Sequence, residues 1–389
     1  MRILLVAPQP FYQERGTPIA VRLLAETLCA EGHLVDLLTY HEGSDLNVPG
    51  LRILRTPALP GVRNIPVGIS WQKLVCDLLL CGRLLQLVLS KRYDVVHAVE
   101  EAVFPAVLLR ALAPARLRVV YDMDSMLGEQ LVDKWRFLRP VARGLSAVER
   151  AAIRRTDAVF AVCRDLAARV QAAAPAVPVF LIEDVAMPLS GGSPAEALRE
   201  MLGIRGALAL YVGNLEHYQG VQTLIDAMAQ VPPTVELTLV VIGGAEADVE
   251  RARAQVRRLG LGERVVLTGP RPVAQLAGYL QQADILVSPR LRGNNTPMKV
   301  YSYMLSGKAI LATRIRSHMQ VLDESCAWLA EPEPRSLALG LQALCADPAL
   351  RARLGAAARR RAQERYSLEA FREKVRLAYR SIAPLGAEG

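Results

Sequence analysis

Short aliphatic runs alternate with longer helical patterns along almost the whole chain. In the first half, the runs that predict strands are 3–7, 34–39, 51–55, 94–98, 118–122, 158–162 and 179–182. In the second half, strands are predicted at 207–212, 237–242, 265–268, 285–288 and 309–312. Helices are predicted at 18–31, 71–90, 138–155, 335–346, 348–364 and 368–382, with others starting near residues 220, 246, 273 and 297. This alternation is typical of parallel sheets with crossover helices.

The alternation pauses at 187–194, where the sequence MPLSGGSP gathers Gly, Ser and Pro. Such a cluster between periodic segments predicts a linker. A chain of 389 residues also exceeds the usual size of a single hydrophobic core. We therefore predict an α/β protein with two doubly wound, Rossmann-like parallel-sheet domains, 1–186 and 195–366, that face a cleft at the carboxyl ends of their strands.

The stretch 293–310 reads GNNTPMKVYSYMLSGKAI and contains the signals of a short helix. Thr296 is a favourable N-cap, and Pro297 suits the first helical position because its fixed φ fits there and its missing N–H is harmless. Gly307 suits the C-terminal cap. We therefore predict a helix at 297–306, after a strand and a short loop.

The start of this helix has the chemistry of an anion site. A helix N-terminus at the carboxyl end of a strand presents free N–H groups and a partial positive charge. Lys299 lies in the first turn, where the helix dipole disfavours a cation unless a phosphate is bound nearby. Ser302 shares its face of the helix, and Arg290 and Arg292 lie in the preceding loop. On these residues alone, a plain helix cap with a solvated lysine remains the alternative.

Composition narrows the classes of partner. The formal net charge of +9 favours anionic partners such as nucleotides or phospholipid surfaces. Aromatic residues make up 5% of the chain and do not interleave with basic ones, which argues against nucleic-acid binding. The first strand is not followed by G-x-G-x-x-G, and no phosphate loop of the form GxxxxGKS occurs, which argues against a dinucleotide oxidoreductase.

The cysteines indicate a reducing compartment. All six are scattered without a CxxC pair, and no histidine lies at metal-ligand spacing, so neither disulfides nor a metal site are expected. The N-terminal sequence MRILLVAP enters a strand and lacks the features of a secretory signal. A cytoplasmic location is therefore expected.

The segment 71–90, WQKLVCDLLLCGRLLQLVLS, is apolar around nearly its whole circumference. Lys73, Asp77 and Arg83 interrupt it, whereas a spanning helix needs about 20 predominantly apolar residues. We predict a helix that is either buried in the core or lies on a membrane surface, and both remain open. The basic residues that would then contact anionic lipid are Arg83, Lys91 and Arg92.

Several segments together resemble a known family. In the second half these are GNLEHYQG after a strand, ADILVSP and TPMKVYSYMLSGKAILAT, and in the first half MRILLVAP, GTPIAVRLLAETLCAEGHLVDLLT and YDVVHAV. Their order is similar to that of the glycosyltransferases of the large retaining family four, which have the glycosyltransferase B fold. The resemblance covers nearly the whole chain.

The resemblance implies that a sugar is transferred with retention from a nucleotide sugar, a UDP- or GDP-sugar, to an acceptor. The C-terminal domain would bind the donor phosphates and the N-terminal domain the acceptor. A last helix, 367–389, would pack back on the N-terminal domain. No cofactor is implied, and since no metal-ligand cluster is visible, metal-independent transfer is expected.

This sequence departs from the family pattern at several positions. The family usually has two Glu separated by seven residues, where this chain has Asn294 and Ser302. It also has an Arg and a Lys that neutralise the diphosphate, where this chain has Asn214 and Gln219. Lys299, with Arg290 or Arg292, would have to replace those cations. These substitutions indicate a divergent subgroup.

The acceptor side also departs from the pattern. Where the family often has a His after a central strand, this chain has Asp122 and Asp124, and a strand-end carboxylate can orient or deprotonate a hydroxyl. For this pair, a loop cap or an ion pair with Arg is the alternative; for His97, it is a hydrogen-bonded structural histidine. The residues expected to act in catalysis are Asp124, Asp122, Lys299 and His97. The residues expected to contact the donor are Gly16, Thr17, Gly213, Asn214, Gln219, Arg290, Arg292, Asn294, Asn295, Thr296 and Ser302.

Two functions from different classes remain. One is a hexosyltransferase of cell-surface polysaccharide or glycoconjugate assembly, acting on a saccharide, lipid-linked or small-molecule acceptor, with peripheral attachment to an anionic membrane surface as an option. The other is a non-catalytic binding protein that partners an active enzyme, which the missing carboxylates and cations favour. An epimerase or phosphorylase is disfavoured because the sequence shows neither a cofactor-lysine motif nor the carboxylates needed for epimerisation.

Overall fold

The structure is a computed structural model that describes residues 1–13, 16–65, 70–110, 117–126, 139–186 and 195–383, with the side chains of 139–143 excepted. The predicted linker 187–194 and residues 384–389 lie outside the described residues. The chain divides into two compact units. Unit 1 comprises Met1–Glu183 and Phe371–Gly389, and unit 2 comprises Asp184–Ala370.

Unit 1 is built on a seven-stranded parallel sheet in the order β3-β2-β1-β4-β5-β6-β7. Its strands are β1 (Arg2–Val6), β2 (Leu34–Thr39), β3 (Leu51–Arg55), β4 (Val95–Val99), β5 (Arg118–Met123), β6 (Ala158–Ala161) and β7 (Val179–Leu181). The helices described in this part of the chain are α1 (Gly16–Ala30), α2 (Trp71–Ser90), α3 (Val103–Arg110), α4 (Arg139–Ile153) and α5 (Arg164–Ala173). The central strands are aliphatic on both faces because helices cover both.

The two faces of this sheet have different cores. On one face, strand residues such as Val96 and Tyr121 join Leu84 of α2 in a continuous hydrophobic cluster. On the other face, Tyr379 from the end of the chain packs against Phe160, with ring centroids 5.8 Å apart. The last helix therefore contributes to the core of unit 1.

Unit 2 is built on a six-stranded parallel sheet in the order β10-β9-β8-β11-β12-β13, the arrangement of a doubly wound fold. Its strands are β8 (Ala207–Val212), β9 (Leu237–Ile242), β10 (Val265–Gly269), β11 (Ile285–Ser288), β12 (Ala309–Thr313) and β13 (Trp328–Ala330). The helices described here are α6 (Leu198–Met201), α7 (Val221–Gln230), α8 (Glu246–Arg258), α9 (Leu276–Gln282), α10 (Met298–Ser306), α11 (Arg316–Met319), α12 (Pro334–Ala346) and α13 (Pro348–Arg365), and α14 (Leu368–Ile382) follows. Separate hydrophobic clusters fill its two faces.

The predicted fold class, two parallel-sheet α/β units, is confirmed. The sequence missed β13 because a three-residue strand that pairs only with β12 has too few positions to show a period. The predicted helix 71–90 is confirmed as α2, with Ser70 accepting a hydrogen bond from the backbone N–H of Lys73 as its N-cap. Within the described residues, no helix combines the length and the apolar character that crossing a membrane requires.

Replacing Gly220 with Ala is expected to lower the free energy of unfolding more than replacing Gly260. Both glycines have positive φ, 73° and 67°, so Ala costs about 1 kcal/mol of left-handed strain at either position. At Gly220, a Cβ would also lie 1.9 Å from the carbonyl oxygen of Pro289, whereas nothing lies within 4 Å at Gly260. Urea unfolding of both variants should show an excess loss of about 2 kcal/mol or more for Gly220→Ala. Equal losses in the two variants would contradict the close contact between Gly220 and the backbone of Pro289.

Candidate functional site

The loops that contain the candidate donor residues meet at one edge of the unit 2 sheet. Strands β8, β11 and β12 are parallel neighbours, so their carboxyl ends lie side by side. The chain leaves β8 at Gly213 and leaves β11 toward α10 through the loop 289–297. The amide N–H of Leu291 in that loop donates to the carbonyl of Tyr218, at 2.8 Å. The two loops are thus joined through their backbones.

Lys299 is the electrostatic centre of this edge. Its Nζ donates to Oε1 of Gln219 at 3.2 Å and lies 4.0 Å from the centroid of the Tyr211 ring. Burial, with a smaller contribution from the charge of Arg290, lowers the pKa of Lys299 to about 7. Among the described residues, no carboxylate pairs with this ammonium group. A partly buried cation without a carboxylate partner is costly, and an anionic ligand would offset that cost.

Gly213 keeps the space beside Lys299 open. Its φ of 147° lies in the region that favours glycine. A Cβ at this position would lie 2.8 Å from Nζ of Lys299 and 3.1 Å from the hydroxyl oxygen of Tyr211. That hydroxyl in turn donates to the carbonyl of the exposed Asn214, at 2.5 Å. Any side chain at position 213 would displace the lysine from the aromatic ring.

Arg290 stabilises the loop in front of α10. Its guanidinium donates to the carbonyls of Arg292 and Asn295, at 2.9 and 3.0 Å, and lies 5.3 Å from the ring centroid of Tyr218. The side chain is 9% exposed, and this burial lowers its pKa. Arg290 therefore forms these hydrogen bonds within its own loop, while its charge helps to lower the pKa of Lys299. Arg292, by contrast, is exposed.

Groups at the end of β12 and in the chain after it form hydrogen bonds with the same loop. The hydroxyl of Thr296 donates to the carbonyl of Ser317 at 2.9 Å, and the amide of Gln320 donates to the carbonyl of Asn294 at 2.7 Å. Thr313 donates its hydroxyl hydrogen to the carbonyl of Arg290. These contacts hold the loop through hydrogen bonds within unit 2.

The start of α10 differs from the predicted one by one residue. Pro297 is the N-cap, with ψ of 130°, and the helix begins at Met298. The prediction of Thr296 as the N-cap was wrong, because Pro297 holds that position and the Thr296 hydroxyl donates to the carbonyl of Ser317. The predicted C-terminal cap is confirmed, since Gly307 has φ of 73°. Ser302, one turn after Lys299, is 2% exposed.

In unit 1, the predicted residues Asp122 and His97 lie next to each other near the end of β5. Asp122 lies within β5 and Asp124 follows it directly. His97 in the neighbouring strand β4 has no exposed surface, and its Nε2 lies 3.3 Å from a carboxylate oxygen of Asp122. Since it is buried, the imidazole of His97 does not reach the surface of unit 1. The side chain of Asp122 is 22% exposed.

A carboxyl group that the sequence analysis did not propose lies beside Asp124. Glu100 directly follows β4 with φ of 50°, and its oxygens accept the hydroxyl of Ser125, at 3.2 and 3.4 Å. Burial and the neighbouring charge of Asp124 raise the pKa of Glu100 well above its usual range. Only its position after a strand could have drawn attention to it in the sequence.

Gly16 and Thr17, predicted to approach the donor, form the first residues of α1 after β1. Gly16 is exposed, and a Cβ there would meet nothing within 4 Å. The described residues therefore do not require glycine at this position. No cluster of three or more His, Cys, Asp or Glu side chains suited to a metal ion occurs among the described residues.

Comparisons with known proteins assign both halves of the chain. Residues 15–183 match the family model described as glycosyl transferase 4-like domain, and residues 196–361 match the model described as glycosyl transferases group 1. The chain is 25% identical over 407 residues to phosphatidyl-myo-inositol mannosyltransferase of Mycobacterium tuberculosis, covering 100% of this chain and 99% of that protein. It is 27% identical over 205 residues to D-inositol 3-phosphate glycosyltransferase of Corynebacterium jeikeium, covering 50% of this chain and 48% of that protein. The chain thus matches about half the length of the inositol 3-phosphate enzymes and nearly all of the mannosyltransferase.

Solved structures support the same fold. Sucrose-phosphate synthase of Thermosynechococcus elongatus superimposes with a TM-score of 0.80 at 23% identity, covering 98% of both chains. The Anabaena protein HepE, solved in complex with UDP-glucose, has a TM-score of 0.72 at 20% identity and covers 98% of this chain and 100% of that one. At these identities, the likeness establishes the fold.

The lowered pKa of Lys299 makes stability depend on pH. The unfolded chain retains this proton up to about pH 10.4, whereas the folded chain releases it near pH 7. Between these values the unfolded state binds more protons, so the contribution of Lys299 to the free energy of unfolding rises with pH, by up to about 1.4 kcal/mol per unit. Urea unfolding of the wild type and Lys299→Met from about pH 6 to pH 9 should show their difference rising in favour of the wild type above about pH 7. A difference independent of pH would contradict the burial of this charge.

Proposed function

We propose that this chain, which belongs to the glycosyltransferases, transfers a hexosyl group from a nucleotide sugar to an acceptor in glycan or glycoconjugate biosynthesis. The family membership rests on a glycosyl transferase 4-like domain followed by a glycosyl transferases group 1 domain. The transfer is proposed to proceed with retention and without a metal ion. The observation that supports this most directly is the desolvated ammonium of Lys299 at the carboxyl edge of the unit 2 sheet, without a carboxylate partner among the described residues. Nucleotide diphosphates bind at this edge in doubly wound folds.

The donor diphosphate is proposed to lie against Lys299 and the first turn of α10. The resemblance implies a lysine at position 219, where this chain has Gln219, whose Oε1 instead accepts the hydrogen bond from Lys299. The loop after β8 therefore has a neutral Gln219, and Lys299 of α10 places its positive charge beside that glutamine. A bound diphosphate would restore the charge of the lysine, and Lys299 would stabilise the phosphate that leaves when the glycosidic bond breaks.

The acceptor is proposed to bind at the strand ends of unit 1. Its hydroxyl oxygen forms the new bond to the anomeric carbon on the face from which the phosphate oxygen departs, so the configuration is retained, and the hydroxyl proton passes to Asp124. Asp122 orients the hydroxyl. The Mycobacterium tuberculosis relative is named for a phosphatidyl-myo-inositol acceptor, so we include lipid-linked polyols with saccharides as the acceptor class. The UDP-glucose complex of the similarly folded Anabaena protein favours UDP-sugars among the donors.

The competing proposal is a non-catalytic binding protein that partners an active enzyme. It is favoured by the neutral side chains Asn214 and Gln219, since each lost hydrogen bond to a charged group costs about 1.5 to 3 kcal/mol. The relocated charge of Lys299 argues against it, because a site that had lost its ligand would gain stability by losing a buried cation.

Nucleotide binding distinguishes these possibilities at position 299. Thermal unfolding is to be measured with UDP, GDP, UDP-glucose and GDP-mannose on the wild type, Lys299→Ala and the control Lys308→Ala, a lysine of the same unit outside the site. One nucleotide family should raise the Tm of the wild type and the control, while Lys299→Ala should weaken its binding about 10- to 100-fold. Release of UDP or GDP from the stabilising sugar nucleotide then tests turnover, which EDTA should not alter.

The outcomes separate the two functions. Binding without any release of nucleotide would favour the non-catalytic protein. Absence of stabilisation by every nucleotide would overturn the donor site. Stabilisation that survives Lys299→Ala would remove this residue from donor binding.

An exposed apolar face on α2 supports a membrane-linked acceptor. Trp71, Leu74, Leu78 and Leu89 are 60%, 58%, 73% and 62% exposed, and their spacing along the helix places them on one line. The opposite side of α2 is buried in the core of unit 1, which is the first alternative predicted for this helix, and the membrane-surface alternative stays a proposal for the exposed face. We propose that this line, termed the α2 apolar face, rests on an anionic bilayer, with the exposed Arg92 near its end.

Vesicle flotation tests this face. The wild type is expected to float with phosphatidylglycerol vesicles at low salt and to bind less with neutral phosphatidylcholine vesicles. Leu78→Asp should abolish flotation, because it places a charge in the buried part of the interface. The control Leu339→Asp changes a leucine of unit 2 that is 56% exposed and should float as the wild type does. Equal behaviour of the two variants would contradict the proposal.

A further inference from the structure

Three polar side chains form a buried line in unit 1. The hydroxyl of Tyr379, from α14, lies 2.8 Å from Nδ1 of His97, and Nε2 of His97 lies 3.3 Å from Asp122. We propose that Tyr379 and His97 are positioning residues that fix the carboxylate of Asp122 for the acceptor hydroxyl. The assignment of Asp122 to the acceptor rests on the proposed function, whereas the contacts themselves do not.

The contacts indicate one arrangement of protons. A carboxylate accepts hydrogen bonds and does not donate them, so the ring nitrogen that faces Asp122 must be the protonated one. In a neutral ring Nδ1 is then the acceptor, and the phenol of Tyr379 donates to it. The last helix of the chain thereby selects the tautomer of His97 that directs an N–H toward Asp122.

The position of His97 is unusual for a residue that merely fills space. Its register partners on the adjacent strands are the aliphatic residues Leu5 and Val120. Its ring makes an edge contact with Phe160, with centroids 5.0 Å apart, and stacks against Tyr379 at 9°. Burying a polar ring in such a layer costs free energy unless its nitrogens are bonded. An aliphatic residue would avoid that cost, so the position is explained by what the imidazole contacts.

The contact between His97 and Asp122 does not have the geometry of a hydrogen bond. Although 3.3 Å separates the two atoms, Nε2 of His97 has no hydrogen-bond partner of good geometry among the described residues. Hydrogen bonds between catalytic groups are often long without substrate and shorten when it binds. An acceptor hydroxyl that binds the exposed side of Asp122 would move the carboxylate so that the N–H on Nε2 of His97 points at its oxygen.

Tyr379 is itself held rigidly in unit 1. On the same helix, Lys374 pairs with the 7% exposed carboxylate of Glu183 at 2.6 Å, and Arg376 pairs with Glu31 at 3.2 Å. The phenol ring also meets Phe160 edge to face. A donor fixed in this way can orient its partner without first losing its own freedom.

Nitrogen-15 NMR of histidine side chains tests the arrangement without any need for turnover. The 389-residue chain contains five histidines, and His97→Gln identifies the signals of His97. We expect a neutral ring protonated at Nε2, with the Nδ1 resonance shifted by an accepted hydrogen bond. Tyr379→Phe should remove that shift, and Asp122→Asn should move the Nε2 resonance. The opposite tautomer, or signals that neither variant alters, would overturn the proposal.

Two amide replacements test the effect on the reaction. The side-chain nitrogen of His97→Gln lies near the place of Nε2 and can still donate to Asp122, whereas that of His97→Asn lies near Nδ1 and cannot. With UDP-glucose or GDP-mannose, whichever the wild type turns over, the kcat of His97→Gln should exceed that of His97→Asn roughly tenfold, while stabilisation by UDP or GDP is unchanged. Equal loss in both variants would indicate a merely structural histidine and would overturn the positioning role.

A tyrosine pair provides the control for helix α14. Tyr379→Phe removes the phenol oxygen and keeps the ring, and should lower kcat without changing nucleotide binding. The control Tyr93→Phe removes a comparable hydrogen bond, 2.6 Å long, to Asp36 elsewhere in unit 1, and should leave kcat unchanged. Equal effects would overturn the proposal.

If the wild type releases no nucleotide from any donor, the proposed function fails. The NMR result alone then decides whether Tyr379, His97 and Asp122 are hydrogen-bonded in series.

Discussion

In a parallel sheet all strands end at the same edge, and this constraint determines where the chemistry of the protein lies. Any polar residue that follows a strand arrives at that edge, however far apart the strands are in sequence. In unit 2, Gln219 and Lys299, which follow β8 and β11, are brought into contact in this way, and in unit 1 so are Glu100 and Ser125, which follow β4 and β5. The cores supply rigidity, and the edges supply the groups that bind.

The two cations Lys299 and Arg290 at the edge of unit 2 have different partners. Lys299 projects from a helix onto an aromatic ring and donates to Gln219, so the ammonium lies against the loop that contains the glutamine. The loop on the other side is fixed by Arg290, whose hydrogen bonds are internal. Arg290 therefore stabilises its own loop, whereas Lys299 joins α10 to the loop that follows β8. The cost of burying Lys299 appears in its lowered pKa, and a bound anion would offset it.

The fold was more predictable from sequence than the site. Strand and helix positions follow from local periodicity, so even the 20 residues of α2 were predicted with their correct ends. The role of Thr296 was missed because its hydroxyl bonds Ser317, a residue brought near only by the sheet. Tyr379 and Glu100 were missed for the same reason, since their significance lies in the partners they meet. Local pattern specifies elements, whereas the site depends on contacts between them.

The two fully buried histidines illustrate how structure separates support from function. In unit 2, His318 lies 2.8 Å from the hydroxyl of Ser288 and 2.9 Å from the carbonyl of Thr313, so both ring nitrogens have partners within the frame. Burial lowers its pKa to about 3, and it remains a neutral brace. In unit 1, His97 has one such partner, and its other nitrogen faces a carboxylate with an exposed side. A buried histidine whose bonds all end inside the protein can only support it, whereas one that ends at a partly exposed carboxylate can transmit its orientation to a ligand.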